Sequence, residues 1–289
     1  ELRNYIQTPF QITEINATSL AHGEIELTQR EDVYAFWQQA QAFPNTHMIY
    51  CGSEADGAFL SIARTEDTNF PLRLQYSNPA TGYLQHYYPL DTRGELSTRT
   101  KIDQRRYDPR VRPWYQSAKA SGTAVWSDIY LGFTALVPVI TASQPVYNEA
   151  GELQGVCAAD FFLPVEIDQF LQALKVGKSG ETFIIERSGL LVSSSTSREE
   201  KLVRGEGEAT QRIAAIESQN PLVSGTAEYL IERFGDLNQI QSAQQLSFEV
   251  DGQREFVQVA PFQDNRGLDW LIVVAVPEND FMAQVNTNT

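Results

Sequence analysis

No stretch of this chain approaches the roughly 20 consecutive apolar residues that a bilayer-spanning helix requires. The longest apolar runs are short, such as Leu271 to Val276. No signal-peptide pattern opens the sequence, and Glu1 stands where an initiator Met would be. The expectation is a segment excised from a longer chain, starting and ending on helices as an insert between two membrane spans does. Cysteine is scarce: Cys51 and Cys157 are the only two. With no CxxC, zinc-finger and thioredoxin-like readings fail. Both fall in strand-like runs and are expected to be buried free thiols, with a disulfide as the alternative in an oxidising compartment. Histidine is equally sparse, and His22, His47 and His86 have no ligand spacing. No metal and no cofactor are expected. Basic residues are outnumbered, 22 Lys and Arg against 37 Asp and Glu, for a formal charge of −15. Such a surface repels phosphate backbones and anionic headgroups, which argues against nucleic acid as a partner.

Catalytic signatures are missing as well. Leu174-Lys-Val-Gly177-Lys178-Ser179 looks like a phosphate loop, but Gln172 occupies the position where that motif needs its first glycine. There is no Gly-x-Ser-x-Gly elbow. Ser193-Ser-Ser195 follows a strand with no His nearby in sequence, and the acidic residues are too scattered to single out a carboxylate pair. The chain reads as a non-enzyme.

What is present is α+β patterning. Leu2, Ile6 and Phe10 recur at a spacing of four, and Val33, Phe36, Trp37 and Ala40 fit one face of a second helical stretch. Residues 1–44 thus form an N-terminal stalk helix region. Residues 47–51 and 58–63 read as a hairpin, 73–76 and 83–88 as two further strands. Residues 91–111 are polar and charged, a long loop of the kind that is usually functional. A short helix opened by Pro113 follows, then strands over 124–130, 135–142 and 153–162, then a helix from Pro164. The second half repeats this in outline. A hairpin spans 182–192, helical material 208–216 and 227–234, and three strands 246–250, 255–261 and 270–276, with another helix opening at Pro277. Two related modules are expected, 45–175 and 176–289.

One cluster stands out: Tyr107, Arg112, Trp114, Tyr115 and Tyr130, with Asp160 downstream. Arg presents a planar fork that matches a carboxylate through two parallel hydrogen bonds. Tyr and Trp supply flat walls with a polar handle, and Asp160 can accept from an ammonium group. One fixed cation, one fixed anion and aromatic walls complement a zwitterion such as a free α-amino acid. Charge-assisted hydrogen bonds of about 1.5–3 kcal/mol each suffice for a micromolar site. The plainer reading is a solvated Arg112 paired with Asp108, and aromatic residues serving only as core.

The spacing Tyr107-x4-Arg112-x-Trp114-Tyr115, with Tyr130 and then Gly155-Val-Cys-Ala-Ala-Asp160, resembles the double Cache (dCache) sensor domains of bacterial transmembrane receptors, in particular those that bind amino acids. The resemblance covers almost the whole chain, including the closing strand Asp269 to Pro277. It implies a long N-terminal helix carrying two PAS-like modules, the membrane-distal one holding ligand. Tyr107, Arg112 and Trp114 would hold the ligand carboxylate, and Tyr115, Tyr130 and Asp160 the ammonium. Relatives place a second acid where Gly132 stands here; Asp128, on the same strand face as Tyr130 by the period-two rule, would substitute. The resemblance further implies a receptor that dimerises through the N-terminal helix, with an extracytoplasmic sensor whose only membrane contact is through spans outside this sequence. The alternative ligands are an amine, a purine or a small carboxylate.

Overall fold

The structure is a computed structural model that describes residues 6–98, 101–133, 136–173, 176–195, 202–250 and 252–280. The chain divides into two compact units, residues 1–130 with 139–161, and residues 131–138 with 162–289.

The first unit begins with helices α1 (Thr8–Ala21) and α2 (Val33–Ala42). Pro9 lies in the first turn of α1, where no backbone N–H is needed, so the helix starts late, at Thr8. The N-terminal helix is therefore present but short, and the second helical stretch is a separate element. Leu2 lies outside the described residues. Strands β1 (Met48–Ser53), β2 (Phe59–Arg64), β3 (Leu72–Ser77), β4 (Leu84–Leu90) and β5 (Lys101–Arg106) follow, then helix α3 (Pro113–Ser121). Pro113 opens α3, and Gly122, at φ 69°, closes it in the left-handed conformation. Two-residue strands β6 (Val125–Trp126) and β7 (Tyr130–Leu131) precede the long strands β8 (Pro138–Tyr147) and β9 (Leu153–Phe162).

These strands form one sheet in the order β5-β4-β3-β2-β1-β9-β8-β6, with β7 also on β8. Strand β1 is central, antiparallel both to its hairpin partner β2 and to the sequence-distant β9. Alternation then sorts the side chains onto two faces. Ile49, Cys51, Leu60, Ile62, Leu72, Leu74, Cys157 and Ala159 pack with Ile12, Val33, Phe36 and Ala40 of α1 and α2 in an aliphatic core. The opposite face carries Tyr50, Phe59, Ser61, Gln75 and Asp160, all buried. Buried polar groups concentrated on one face of an otherwise apolar sheet place the candidate site there.

The second unit holds helix α4 (Leu163–Ala173), strands β10 (Glu181–Glu186) and β11 (Leu191–Ser194), a two-stranded ribbon of β12 (Val203–Arg204) and β13 (Gln211–Arg212), helix α5 (Pro221–Phe234), and β14 (Gln244–Val250), β15 (Gln253–Gln263) and β16 (Asp269–Pro277). Its sheet runs β11-β10-β16-β15-β14, antiparallel throughout. Asn220 caps α5 by accepting from the Leu222 and Val223 amides.

Four expectations need correction. Residues 101–106 are a strand, not loop; β5 is an exposed edge strand whose charged residues carry no apolar alternation. The expected strand over 124–130 is broken into β6 and β7. Residues 208–216 form two short 3-10 turns around β13 rather than a helix. Cys51 and Cys157, opposite one another on β1 and β9, are joined in a disulfide and are not free thiols. The ends of three expected elements, at Ala135, Leu174 and Phe281 onward, lie outside the described residues.

Candidate functional site

The polar face of the first unit's sheet is roofed by the segment leading into α3. Asp108 caps a 3-10 turn at Pro109–Val111 by accepting from the Arg110 amide, and its carboxylate pairs with the Arg110 guanidinium at 2.9 Å. The local acid that would have neutralised Arg112 is therefore committed to its neighbour. Arg112 is the residue before Pro113 and has extended backbone, φ −83° and ψ 149°. It is half-buried, and its guanidinium carbon lies 5.9 Å from the centroid of the Tyr130 ring.

The aromatic residues close a ring. Trp114 packs edge-on against Tyr50, centroids 4.8 Å apart. Tyr50 contacts Phe59 at 5.6 Å, Phe59 contacts Tyr107 at 4.6 Å, and the Trp114 indole N–H donates to the Tyr107 hydroxyl at 3.3 Å. Glycine at position 52 permits this approach: an added Cβ would meet Pro109 Cβ at 2.8 Å and Trp114 Cη2 at 3.1 Å.

Asp160 stands beside this ring, 5% exposed. One oxygen, Oδ1, accepts from the Tyr50 and Thr141 hydroxyls, each at 2.6 Å. Thr141 in turn is 2.9 Å from the Tyr130 hydroxyl. Oδ2 accepts from no side chain among the described residues. Burial raises the Asp160 carboxyl to about 6, against the opposing pull of the two hydroxyl bonds and of the Arg112 charge. Burial also raises the Tyr50, Tyr107 and Tyr130 hydroxyls, which stay protonated donors at neutral pH. Tyr107 senses both charges: Arg112 pulls its hydroxyl down and Asp160 pushes it up.

Of the residues singled out in the sequence, Tyr107, Arg112, Trp114, Tyr130 and Asp160 thus come together. Tyr115 is buried behind Trp114, but its hydroxyl donates to Glu54 at 2.9 Å, and Lys119 holds the other Glu54 oxygen at 2.6 Å. Asp128 is exposed in the break between β6 and β7, so the shared strand face with Tyr130 does not exist. Tyr50 and Thr141 are additions that the sequence reading missed. Both lie on strands that flank β9 in the sheet, and Tyr50 shares the Asp160 face by register. Among the described residues no group of His, Cys, Asp and Glu could hold a metal ion.

Comparison with known proteins agrees with this architecture. The methyl-accepting chemotaxis protein McpB of Bacillus subtilis is 36% identical over 101 residues, 35% of this chain and 14% of that receptor. The chain thus matches only a minor part of the length of that relative. Among solved structures, the ligand-binding domain of the Pseudomonas aeruginosa amino acid chemoreceptor PctB, in complex with L-Arg, superposes with a TM-score of 0.56 at 15% identity, covering 97% of this chain and 90% of that one. The ligand-binding domain of the Pseudomonas fluorescens chemoreceptor CtaA, in complex with L-leucine, gives 0.55 at 16% identity, covering 96% and 89%. At these identities the likeness is one of fold. The Cache domain sequence family matches residues 15–285. The chain belongs to the Cache domain family.

Proposed function

We propose that this chain is the extracytoplasmic sensor of a bacterial signal-transduction receptor and that its first unit binds a free L-amino acid. The observation that carries the reading is geometric: the Arg112 guanidinium lies over the Tyr130 ring, 5.9 Å from its centroid, and the Tyr130 hydroxyl is 2.9 Å from the Thr141 hydroxyl that donates to Asp160 at 2.6 Å, which sets a cation and an anion on either side of one aromatic side chain. A small zwitterion satisfies both. Its carboxylate takes the fork of Arg112, and its ammonium takes Oδ2 of Asp160 with Tyr130 alongside. The amino-acid complexes of PctB and CtaA support the ligand class. In this reading the module over 45–175 is membrane-distal and that over 176–289 membrane-proximal. Two copies pair through the N-terminal helix, and spans outside this sequence anchor the receptor. Ligand shifts a population between open and closed arrangements, within the 91–133 region, of the segment leading into α3, and each tenfold preference for the closed form contributes about 1.4 kcal/mol.

The test is calorimetric titration of the purified chain with the common L-amino acids. At least one binds at micromolar affinity. If none binds, or if an amine lacking the carboxylate competes as well as the amino acid, the reading fails.

The site also predicts a pH dependence. The Asp160 carboxyl is held up to about 6 and must be ionised to accept the ammonium. The ligand's own ammonium and carboxylate do not titrate between pH 5 and 8. Affinity is therefore full above pH 7 and falls as pH drops through 6, approaching tenfold weaker per pH unit below that. Titrations at pH 5, 6, 7 and 8 check this; an affinity that is flat from pH 5 to 7.5 removes Asp160 from the ammonium contact.

A further inference from the structure

The same sheet face continues past the charge pair toward β4. Register places Asp160, Met48, Ala63 and Arg73 opposite one another across β9, β1, β2 and β3. The adjacent row is Ala158, Tyr50, Ser61, Gln75, Tyr87 and Lys101. Three strand spacings separate the ends of the first segment, about 14 Å between the Asp160 and Arg73 backbones. The two rows are one continuous surface, and Tyr107 senses Tyr87 as well as Arg112 and Asp160.

The far end of this surface carries Arg73, Gln75 and Tyr87. The Arg73 guanidinium stacks on the Tyr87 ring, 4.8 Å from its centroid, and pairs with no acid among the described residues. Its Nε is buried without a hydrogen bond. Burial pulls the group below its ordinary value, as expected for a cation removed from water without a counter-ion. Gln75 is 3% exposed, and its amide makes no hydrogen bond among the described residues. Tyr87 donates to the Gln85 side chain at 2.9 Å, which fixes the ring on which Arg73 lies. Asp103, 3.5 Å from the Tyr87 hydroxyl, is held by Arg105 at 2.9 Å. In a chain with a net charge of −15, a half-buried cation with no acid paired to it among the described residues is a natural place for an anionic group to bind.

We propose that Arg73, with Gln75 beside it, is the specificity subsite for the ligand's side chain, and that the preferred ligand is an amino acid with an anionic side chain, aspartate or glutamate. The inference rests on the amino-acid reading of the Arg112–Asp160 site and names the substituent that site selects. A side-chain carboxylate accepts from the Arg73 fork and from the Gln75 amide and neutralises the Arg73 charge. The corresponding amide ligand offers a single acceptor and no charge.

The experiment is calorimetric titration of the chain and of its Arg73→Gln and Arg73→Lys variants with L-Asp, L-Glu, L-Asn, L-Gln and L-Ala. The expected result is that one of the two acids binds at least tenfold tighter than its amide. Arg73→Gln erases that preference while affinity for the neutral ligands stays within about threefold, which also reports that the variant is folded. Arg73→Lys restores part of the preference, because it keeps the charge without the planar fork. Amides that bind as tightly as the acids, or an acid preference that survives in Arg73→Gln, overturn the subsite and leave the Arg112–Asp160 reading standing. Failure of every amino acid to bind defeats both.

Discussion

Arg112→Ala should weaken amino-acid binding by about thirtyfold or more and strongly reduce ligand-induced thermal stabilisation, while the unliganded chain melts within a few degrees of the parent. Truncating one partner of a desolvated charge-assisted contact costs about 2–5 kcal/mol, and every 1.4 kcal/mol is tenfold in affinity. The helix does not depend on this side chain: Arg112 sits at the N-cap position of α3 without a side-chain capping bond, and the start of the helix is set by Pro113. Arg112→Lys should fall between, because an ammonium supplies the charge but not two parallel donors. The result discriminates between ligand classes. An amine uses Asp160, Tyr50 and the aromatic ring but has nothing to offer Arg112, so its affinity would rise or stay level in Arg112→Ala. If an amino acid keeps its affinity within twofold in this variant, the carboxylate contact lies elsewhere.

Tyr107, Arg112 and Trp114 are legible in the sequence because they crowd one short segment, and Pro113 fixes that segment as a helix start. Tyr50 and Thr141 are not. Tyr50 lies in the run Met48-Ile-Tyr-Cys51, where every residue is apolar or aromatic and no alternation marks a face. Only the pairing of β1 with β9, more than a hundred residues downstream, turns Tyr50 toward Asp160. Thr141 is likewise an unremarkable strand residue until the sheet order sets β8 beside β9. Asp128 failed for the converse reason: the period-two argument is sound only along an unbroken strand, and the chain leaves the sheet between Trp126 and Tyr130. The two-module outline and most hairpins were readable because turn chemistry and apolar runs are local signals. The charged edge strand β5 and the irregular stretch 208–216 were not, because tertiary pairing overrides propensity at both. Arg73 carries no signal of its own in the sequence, where it opens one of the strands. Its isolation on a buried face is a property of four strands together.

Replacing both Cys51 and Cys157 by Ala should lower the stability of the first unit by about 2–5 kcal/mol, seen as a fall of roughly 5–15 °C in its melting transition. The bridge joins residues separated by 106 positions, and a cross-link of that length removes a large share of the unfolded chain's conformational freedom, about 4.7 kcal/mol in the chain-entropy treatment for a loop of 100 residues. Alanine is the appropriate replacement, because both sulfurs lie in the fully buried aliphatic core, where serine would add an unpaired hydroxyl. The bridge lies on the face of β1 and β9 opposite Tyr50 and Asp160, so its loss acts on the ligand site through the strand pair that sets their register. Ligand affinity in the double variant should therefore fall by less than tenfold at a temperature where the unit stays folded, while the melting temperature drops. Parent protein unfolded and refolded under reducing conditions should melt at the temperature of the variant. A double variant melting within 2 °C of the parent, or free thiols titrating in the denatured oxidised protein, would show that the two sulfurs are not bonded and would remove the requirement for an oxidising compartment that a core disulfide places on this domain.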